Sequence, residues 1–132
     1  MEVTYEINGN VEAGELSRVY ASSGMKRPVD DPERLARMLA NANLVVSARI
    51  NGELIGVARC LTDFSYSCFV SCLAVSKEAQ GKGVGRQLLE HVKQAVGEEA
   101  AVDLYSTPIA MTYYPHLGFD TMDNAFRLPR KK

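Results

Sequence analysis

Residues 75–86, Val-Ser-Lys-Glu-Ala-Gln-Gly-Lys-Gly-Val-Gly-Arg, narrow the choice of folds more than any other stretch. An apolar strand candidate, Phe69–Val75, runs into this stretch, and an amphipathic helix candidate, Val84–Val96, runs out of it. Gly81, Gly83 and Gly85 alternate between the two. The first N–H groups of a helix have no partner inside it, and the helix dipole adds partial positive charge there. Glycines let the backbone approach an anion closely and adopt dihedrals that a Cβ would forbid. Strand, glycine turn and helix therefore predict a cradle for a phosphate-bearing ligand at Gln80–Arg86.

Spacing removes two common phosphate loops. A P-loop needs Gly-Lys followed by Ser or Thr, and Gly81-Lys82 is followed by Gly83, which has no hydroxyl for magnesium. The dinucleotide fingerprint needs Gly-x-Gly-x-x-Gly opening a βαβ unit. Here the third glycine comes one place early and the segment lies past mid-chain.

The chain has 132 residues, and residues 1–132 read as one domain. Its 46% hydrophobic and 23% charged content suits a packed globular core. A net charge of -1 gives no global basic field, so nucleic acid and anionic membrane are not expected partners. Arg127, Arg130, Lys131 and Lys132 read as a solvated basic tail. No apolar run approaches the roughly 20 residues of a membrane span, and the N-terminus lacks the order of a signal peptide. The three cysteines, Cys60, Cys68 and Cys72, read as reduced, buried and small, which suggests a cytoplasmic protein.

In chain order, Val3–Ile7 alternates as a half-buried strand. A helix follows over about Val11–Ser22, with Gly24 to stop it. Asp31 caps a second helix with Pro32 at its first position, ending near Asn41–Asn43. Leu44–Ile50, Leu54–Leu61 and Ser67–Val75 form an antiparallel meander, its first hairpin turning at Asn51-Gly52. Gly56 marks a bulge or a close approach. After the glycine helix, closed by Gly97, Ala101–Ser106 is a strand parallel to Phe69–Val75 across a right-handed crossover. His91 reads as a partly buried structural residue. Thr107-Pro108 starts a further helix, and Phe119–Met122 with Ala125–Leu128 would close the chain as a hairpin.

Gln80-x-x-Gly83-x-Gly85 after a strand ending in Ala74-Val75 resembles the pyrophosphate loop of the GNAT-type N-acetyltransferases. A second match follows: Ala110, the pair Tyr113-Tyr114, then Leu117-Gly118-Phe119, position for position with that family's C-terminal pattern. The resemblance runs from Leu44 onward. It implies an α/β mixed sheet in the GNAT fold: a meander, a βαβ unit with splayed central strands, and a C-terminal hairpin. It implies acetyl-CoA as cosubstrate and no metal. Leu73, Ala74, Val75, Gln80, Gly81, Lys82, Gly83, Val84, Gly85, Arg86 and Thr107 would hold the cofactor. Tyr114 falls at the position of the general acid that protonates the departing CoA thiolate, with Tyr113 packing beside it. Tyr20, Met25, Lys26 and Arg27 fall on the acceptor wall, where Lys26 and Arg27 read first as solvated loop charges.

Some positions depart from the family pattern. Pro115 directly follows Tyr114 and disfavours a regular helix there. Thr107 stands where many relatives carry Asn. Ser71-Cys72 stands where many relatives carry a carboxylate base, leaving Asp63 and His116 as candidates. Cys72 reads as a packing cysteine rather than an acyl-carrying nucleophile, because no His is paired with it. The resulting expectation is an N-acetyltransferase acting on a small-molecule or peptide amine, with exposed sheet edges that allow a homodimer. A CoA-binding sensor without catalysis is the alternative. A nucleotide-binding regulatory domain fits less well, lacking a Ser/Thr and a carboxylate for magnesium.

Overall fold

The computed structural model describes residues 2–132. Five strands form one sheet in the order β1-β2-β3-β4-β5: β1 Thr4–Ile7, β2 Leu44–Ile50, β3 Glu53–Thr62, β4 Ser67–Val75 and β5 Ala101–Leu104. The first four are antiparallel neighbours, and β5 lies parallel to β4. Helices α1 (Ala13–Ser23) and α2 (Pro32–Ala40) cover one face, and α3 (Val84–Val96) covers the other.

The local signals act as their chemistry dictates. Gly24 takes φ 80° as the left-handed cap of α1, and the Asp31 side chain accepts from the Arg34 N–H at 3.0 Å. Asn51 and Gly52 have φ of 50° and 83°, the paired positive values of a type I′ hairpin turn. Gly56 combines both of its predicted roles. Ile55 is the extra residue of a bulge in β3, and a Cβ on Gly56 would lie 3.1 Å from Val84 Cγ1. α3 thus packs directly onto bare backbone there. His91 stacks on Tyr5 with ring centroids 4.9 Å apart, and its Nδ1 lies 2.8 Å from the Gln87 carbonyl.

A second bulge matters more for the site. Arg59 pairs with Cys72, but Cys60 pairs with Val70, so Ser71 is the extra residue. A strand's side chains alternate between faces, and one inserted residue reverses that alternation. Cys68 and Val70 accordingly pack under α3, whereas Cys72 and Ala74 pack under α1 and α2.

The predicted C-terminal hairpin is absent. Residues 117–132 form no strand, and Phe126 and Leu128 are 94% and 98% exposed. Each predicted strand is four residues long, Pro129 follows directly, and β5 offers only a four-residue edge. Too little surface is buried there to order two more strands. Side chains hold the tail instead: the Arg127 guanidinium sits 4.6 Å above the Tyr105 ring, and Arg34 donates to the Lys132 carbonyl at 3.2 Å. Arg127, Arg130, Lys131 and Lys132 are all exposed, and Arg127 in addition stacks on Tyr105. β5 also stops at Leu104, two residues before its predicted end.

One ion pair ties α1 to the sheet. Arg49 on β2 donates from two nitrogens to the Glu15 carboxylate, at 2.6 and 2.9 Å. Glu15 also closes the capping box at Glu12. The Arg49 hydrogen bond is the main cause holding the Glu15 carboxyl down, to about 2. A depressed carboxyl contributes stability above its unfolded pKa of about 4.3 and loses it as pH falls through the folded value. Glu15→Gln should therefore cost about 1 kcal/mol at pH 7, discounted for partial exposure. That difference should shrink toward zero in urea titrations between pH 4.5 and 2. A pH-independent difference would show that the pair does not carry it.

Candidate active site

The site begins where β4 and β5 part. Their ladder runs from Ser67 opposite Ala101 to Val70 opposite Leu104, and stops at the Ser71 bulge. β4 continues past β5 to Val75, still paired with β3, leaving its other edge without a strand neighbour among the described residues. Bulges bend and twist the strand that carries them, so the parting follows from the extra residue. The Ser76 N–H donates to the Ile55 carbonyl at 2.8 Å, which fixes the alternation. Ala74 must then direct its backbone groups at β3, and Leu73 and Val75 direct theirs at the open edge. Ala74 itself is buried, with its side chain under α1. At the end of this edge the Gln80 side-chain amide donates to the Val75 carbonyl at 2.9 Å.

Beyond β4, Lys77–Ala79 make one 3-10 turn and α3 starts at Val84. Gly81 and Gly83 take φ of 78° and 82°, the left-handed region that a side chain resists. Among the described residues, the N–H groups of residues 81–86 donate to no backbone acceptor, and Gly83 caps α3 without a side-chain hydrogen bond. Gln80, Lys82 and Arg86 are exposed around them. Consecutive free N–H groups at a helix N-terminus form an anion cradle.

Sequence order did not reveal which tyrosine approaches this cradle. After a 3-10 turn over Pro108–Thr112, residues Tyr113–His116 form a single helical turn, α4. Pro115 sits in that first turn, where a missing N–H costs nothing. The Tyr113 hydroxyl reaches the start of α3, 3.4 Å from where a Cβ on Gly85 would stand. Tyr114 is half-buried, edge-on to Tyr113 and Phe119 with centroids 5.2 and 5.6 Å away. Burial, and secondarily Tyr113, pushes the Tyr114 phenol up. Tyr114 also faces a groove of about 1500 Å³ between β5, the end of α3 and the C-terminal stretch. None of residues 71–86 lines that groove. Thr107 is exposed at the start of the 3-10 turn.

The base candidates fare differently. The Asp63 carboxylate accepts from the N–H groups of Ser65, Tyr66 and Ser67 at 2.9, 2.8 and 3.0 Å. These bonds, Ser67's foremost, lower its pKa to about 2, so it is a poor proton acceptor near neutrality. His116 is exposed on α4.

On the acceptor side the wall residues turn inward. Tyr20 is fully buried and Met25 packs beneath α1, while Lys26 is exposed. Arg27 is not a solvated charge: it donates to the Ser71 carbonyl at 2.7 Å and from Nε to the Cys72 sulfur at 3.1 Å. Arg59, only 8% exposed, donates to the Ser71 hydroxyl at 2.8 Å. The sequence reading missed Arg59. Its signal was a single cation inside the apolar run Leu54–Leu61.

Comparison with known proteins agrees with this architecture. The acetyltransferase (GNAT) domain family matches residues 16–128. The uncharacterized N-acetyltransferase ycf52 of Pyropia yezoensis is 27% identical over 136 aligned positions, covering 93% of this chain and 75% of its own length. A GNAT family acetyltransferase of Streptococcus pneumoniae superposes with a TM-score of 0.82 at 20% identity, over 99% of this chain and 100% of that one. PaiA N-acetyltransferase of Thermoplasma acidophilum, solved in complex with coenzyme A, superposes at 0.76 with 16% identity, over 95% and 94% of the two chains. With most of its length matched, a bulged and parted β4 and a glycine cradle at the head of α3, the chain belongs to the GNAT family of N-acetyltransferases.

Proposed function

We propose that this protein transfers an acetyl group from acetyl-CoA to an amine, with the cofactor lying along the free edge of β4. The observation that carries this reading is the run of unpartnered N–H groups at residues 81–86, continuous with that edge. The pyrophosphate would sit on those N–H groups, with Lys82 and Arg86 adding charge at the rim. The amide-rich pantetheine arm would pair with the backbone of Leu73 and Val75 as an added strand. The Gln80 amide now on the Val75 carbonyl would move aside. This binding needs no metal.

The chemistry is direct. A neutral amine attacks the thioester carbonyl, and its lone pair forms the new C–N bond. The carbonyl electrons collect on oxygen, where the edge-facing N–H of Leu73 would donate. Collapse breaks the C–S bond, and the CoA thiolate takes a proton. The attacking nitrogen releases one proton to solvent, and the acid that served the thiolate is reprotonated from solvent, so that amide and free CoA thiol result. Tyr114 is assigned as the donor to the thiolate. Burial keeps that phenol protonated at neutral pH, and an ordinary phenol and thiol lie within about 2 pK units of each other. The acceptor is a small-molecule or peptide amine approaching from the side of α1 and α2.

Thermal shift with acetyl-CoA, CoA, ATP and NAD tests the reading. Acetyl-CoA and CoA at 100 times their Kd should add about 2.7 kcal/mol of stability. Stabilisation by ATP or NAD without CoA would refute it. A panel of amines then separates enzyme from sensor, because a sensor would bind CoA and turn nothing over. The Asp63 carboxylate, held by three backbone N–H groups in the turn before β4, is a poor base, and this gives the second reading its footing.

A further inference from the structure

We propose that Cys72 is carried as a thiolate, held by Arg27, Arg59 and Tyr20, and that this buried anion is the positioning element of the free β4 edge. One donor reaches the sulfur, and two more buried groups beside it keep a donor without a partner. Arg27 Nε donates to it at 3.1 Å from the loop between α1 and α2. The Tyr20 hydroxyl of α1 and the Arg59 guanidinium of β3 lie against it. Both approaching groups are buried and incomplete: Tyr20 is 0% exposed with its hydroxyl unpartnered, and Arg59 is 8% exposed with Nε unpartnered. A neutral thiol is a weak acceptor and cannot offset two orphaned donors. A thiolate can accept from several donors at once.

Charge gives a second reason. Among the described residues, neither Arg27 nor Arg59 has a carboxylate within ion-pair distance. A buried guanidinium without a counter-charge is strongly unfavourable. Loss of the Cys72 proton to solvent on folding supplies that charge, with no change of oxidation state. Burial alone pushes this thiol up, but the neighbouring Tyr20 hydroxyl, the Arg27 hydrogen bond and both guanidinium charges outweigh it, so the group lies below an ordinary thiol. Cys60, the other titratable neighbour on β3, is pushed up by burial, as is Cys68. Burial and Cys72 push the Tyr20 phenol up, which keeps it a donor.

The anion then fixes geometry. The guanidinium that meets the sulfur also donates to the Ser71 carbonyl at 2.7 Å, and Arg59 donates to the Ser71 hydroxyl at 2.8 Å. Ser71 is the bulge residue that turns Leu73 and Val75 toward the open edge. The thiolate thus anchors both arginines on the residue that parts β4 from β5. This second half rests on the reading of that edge as the acetyl-CoA site.

Selective 13Cβ-cysteine labelling tests the charge directly, with resonances assigned through Cys60→Ala, Cys68→Ala and Cys72→Ser. Between pH 5 and 10 the Cys72 signal should titrate below the free-cysteine value of about 8.5, while Cys60 and Cys68 stay protonated. In Arg27→Gln, a loop variant chosen to keep the fold, the midpoint should rise by at least half a unit. In Arg59→Met it should rise by at least one. A Cys72 signal that titrates at or above 8.5, or that ignores both variants, overturns the thiolate. For positioning, acetyl-CoA affinity in wild type should fall as pH drops through the Cys72 midpoint. Cys72→Ser should bind at least fivefold more weakly, without that pH dependence. Unchanged affinity in the folded serine variant overturns the positioning role. If wild type binds no CoA compound at all, the cofactor reading fails, and the labelling still decides the charge.

Discussion

Gly83→Val should lower affinity for acetyl-CoA by roughly a hundredfold, about 2.7 kcal/mol, while the protein stays folded. Gly83 holds φ 82° at the N-cap of α3. A β-branched residue there pays left-handed strain of about 1–2 kcal/mol, or relaxes φ and swings the N–H groups of residues 84–86 off their common target. Packing does not interfere, because a Cβ at this position meets nothing within 4 Å. The substitution therefore separates backbone direction from steric blockage of the core. Calorimetric titration reads the affinity and circular dichroism reads the fold. Near-normal affinity in a folded variant would refute the assignment of residues 81–86 to the pyrophosphate.

The second large effect concerns Tyr114. Tyr114→Phe should lower turnover at least tenfold, about 1.4 kcal/mol in the barrier, with acetyl-CoA affinity unchanged. Its ring contacts with Tyr113 and Phe119 survive the loss of the hydroxyl, so stability should hold. Burial raises this phenol, so the alkaline fall of the wild-type rate that its ionisation causes should lie above the ordinary value of about 10. Tyr113→Phe is the counterpart. Its hydroxyl lies near the start of α3, so that variant should weaken cofactor binding several-fold and spare turnover. Should the two phenotypes exchange, with Tyr113→Phe losing turnover, the acid is Tyr113.

The sequence by itself determined what short-range rules reach. The type I′ turn at Asn51-Gly52, the Asp31 cap with Pro32, the left-handed Gly24 and the glycine cradle each depend on neighbours a few residues away. Apolar periodicity set the three meander strands and α3, and the spacing of Gln80, Gly83 and Gly85 with Tyr113-Tyr114 carried the family. The extra residue at Ser71 was not legible, because a bulge is a relation between two strands and neither strand's pattern records it alone. That single shift decides that Cys72 faces Tyr20, Arg27 and Arg59 instead of α3. A cysteine that reads as packing thereby enters a cluster of buried cations. The same limit explains the tail, where Ala125–Leu128 alternates like a strand but finds no edge long enough to pair with. It also explains the tyrosines, since the turn at residues 113–116 aims one hydroxyl at Gly85 and buries the other ring. Composition and spacing set which elements form. The direction each polar side chain faces was decided by strand pairing between residues far apart in the chain.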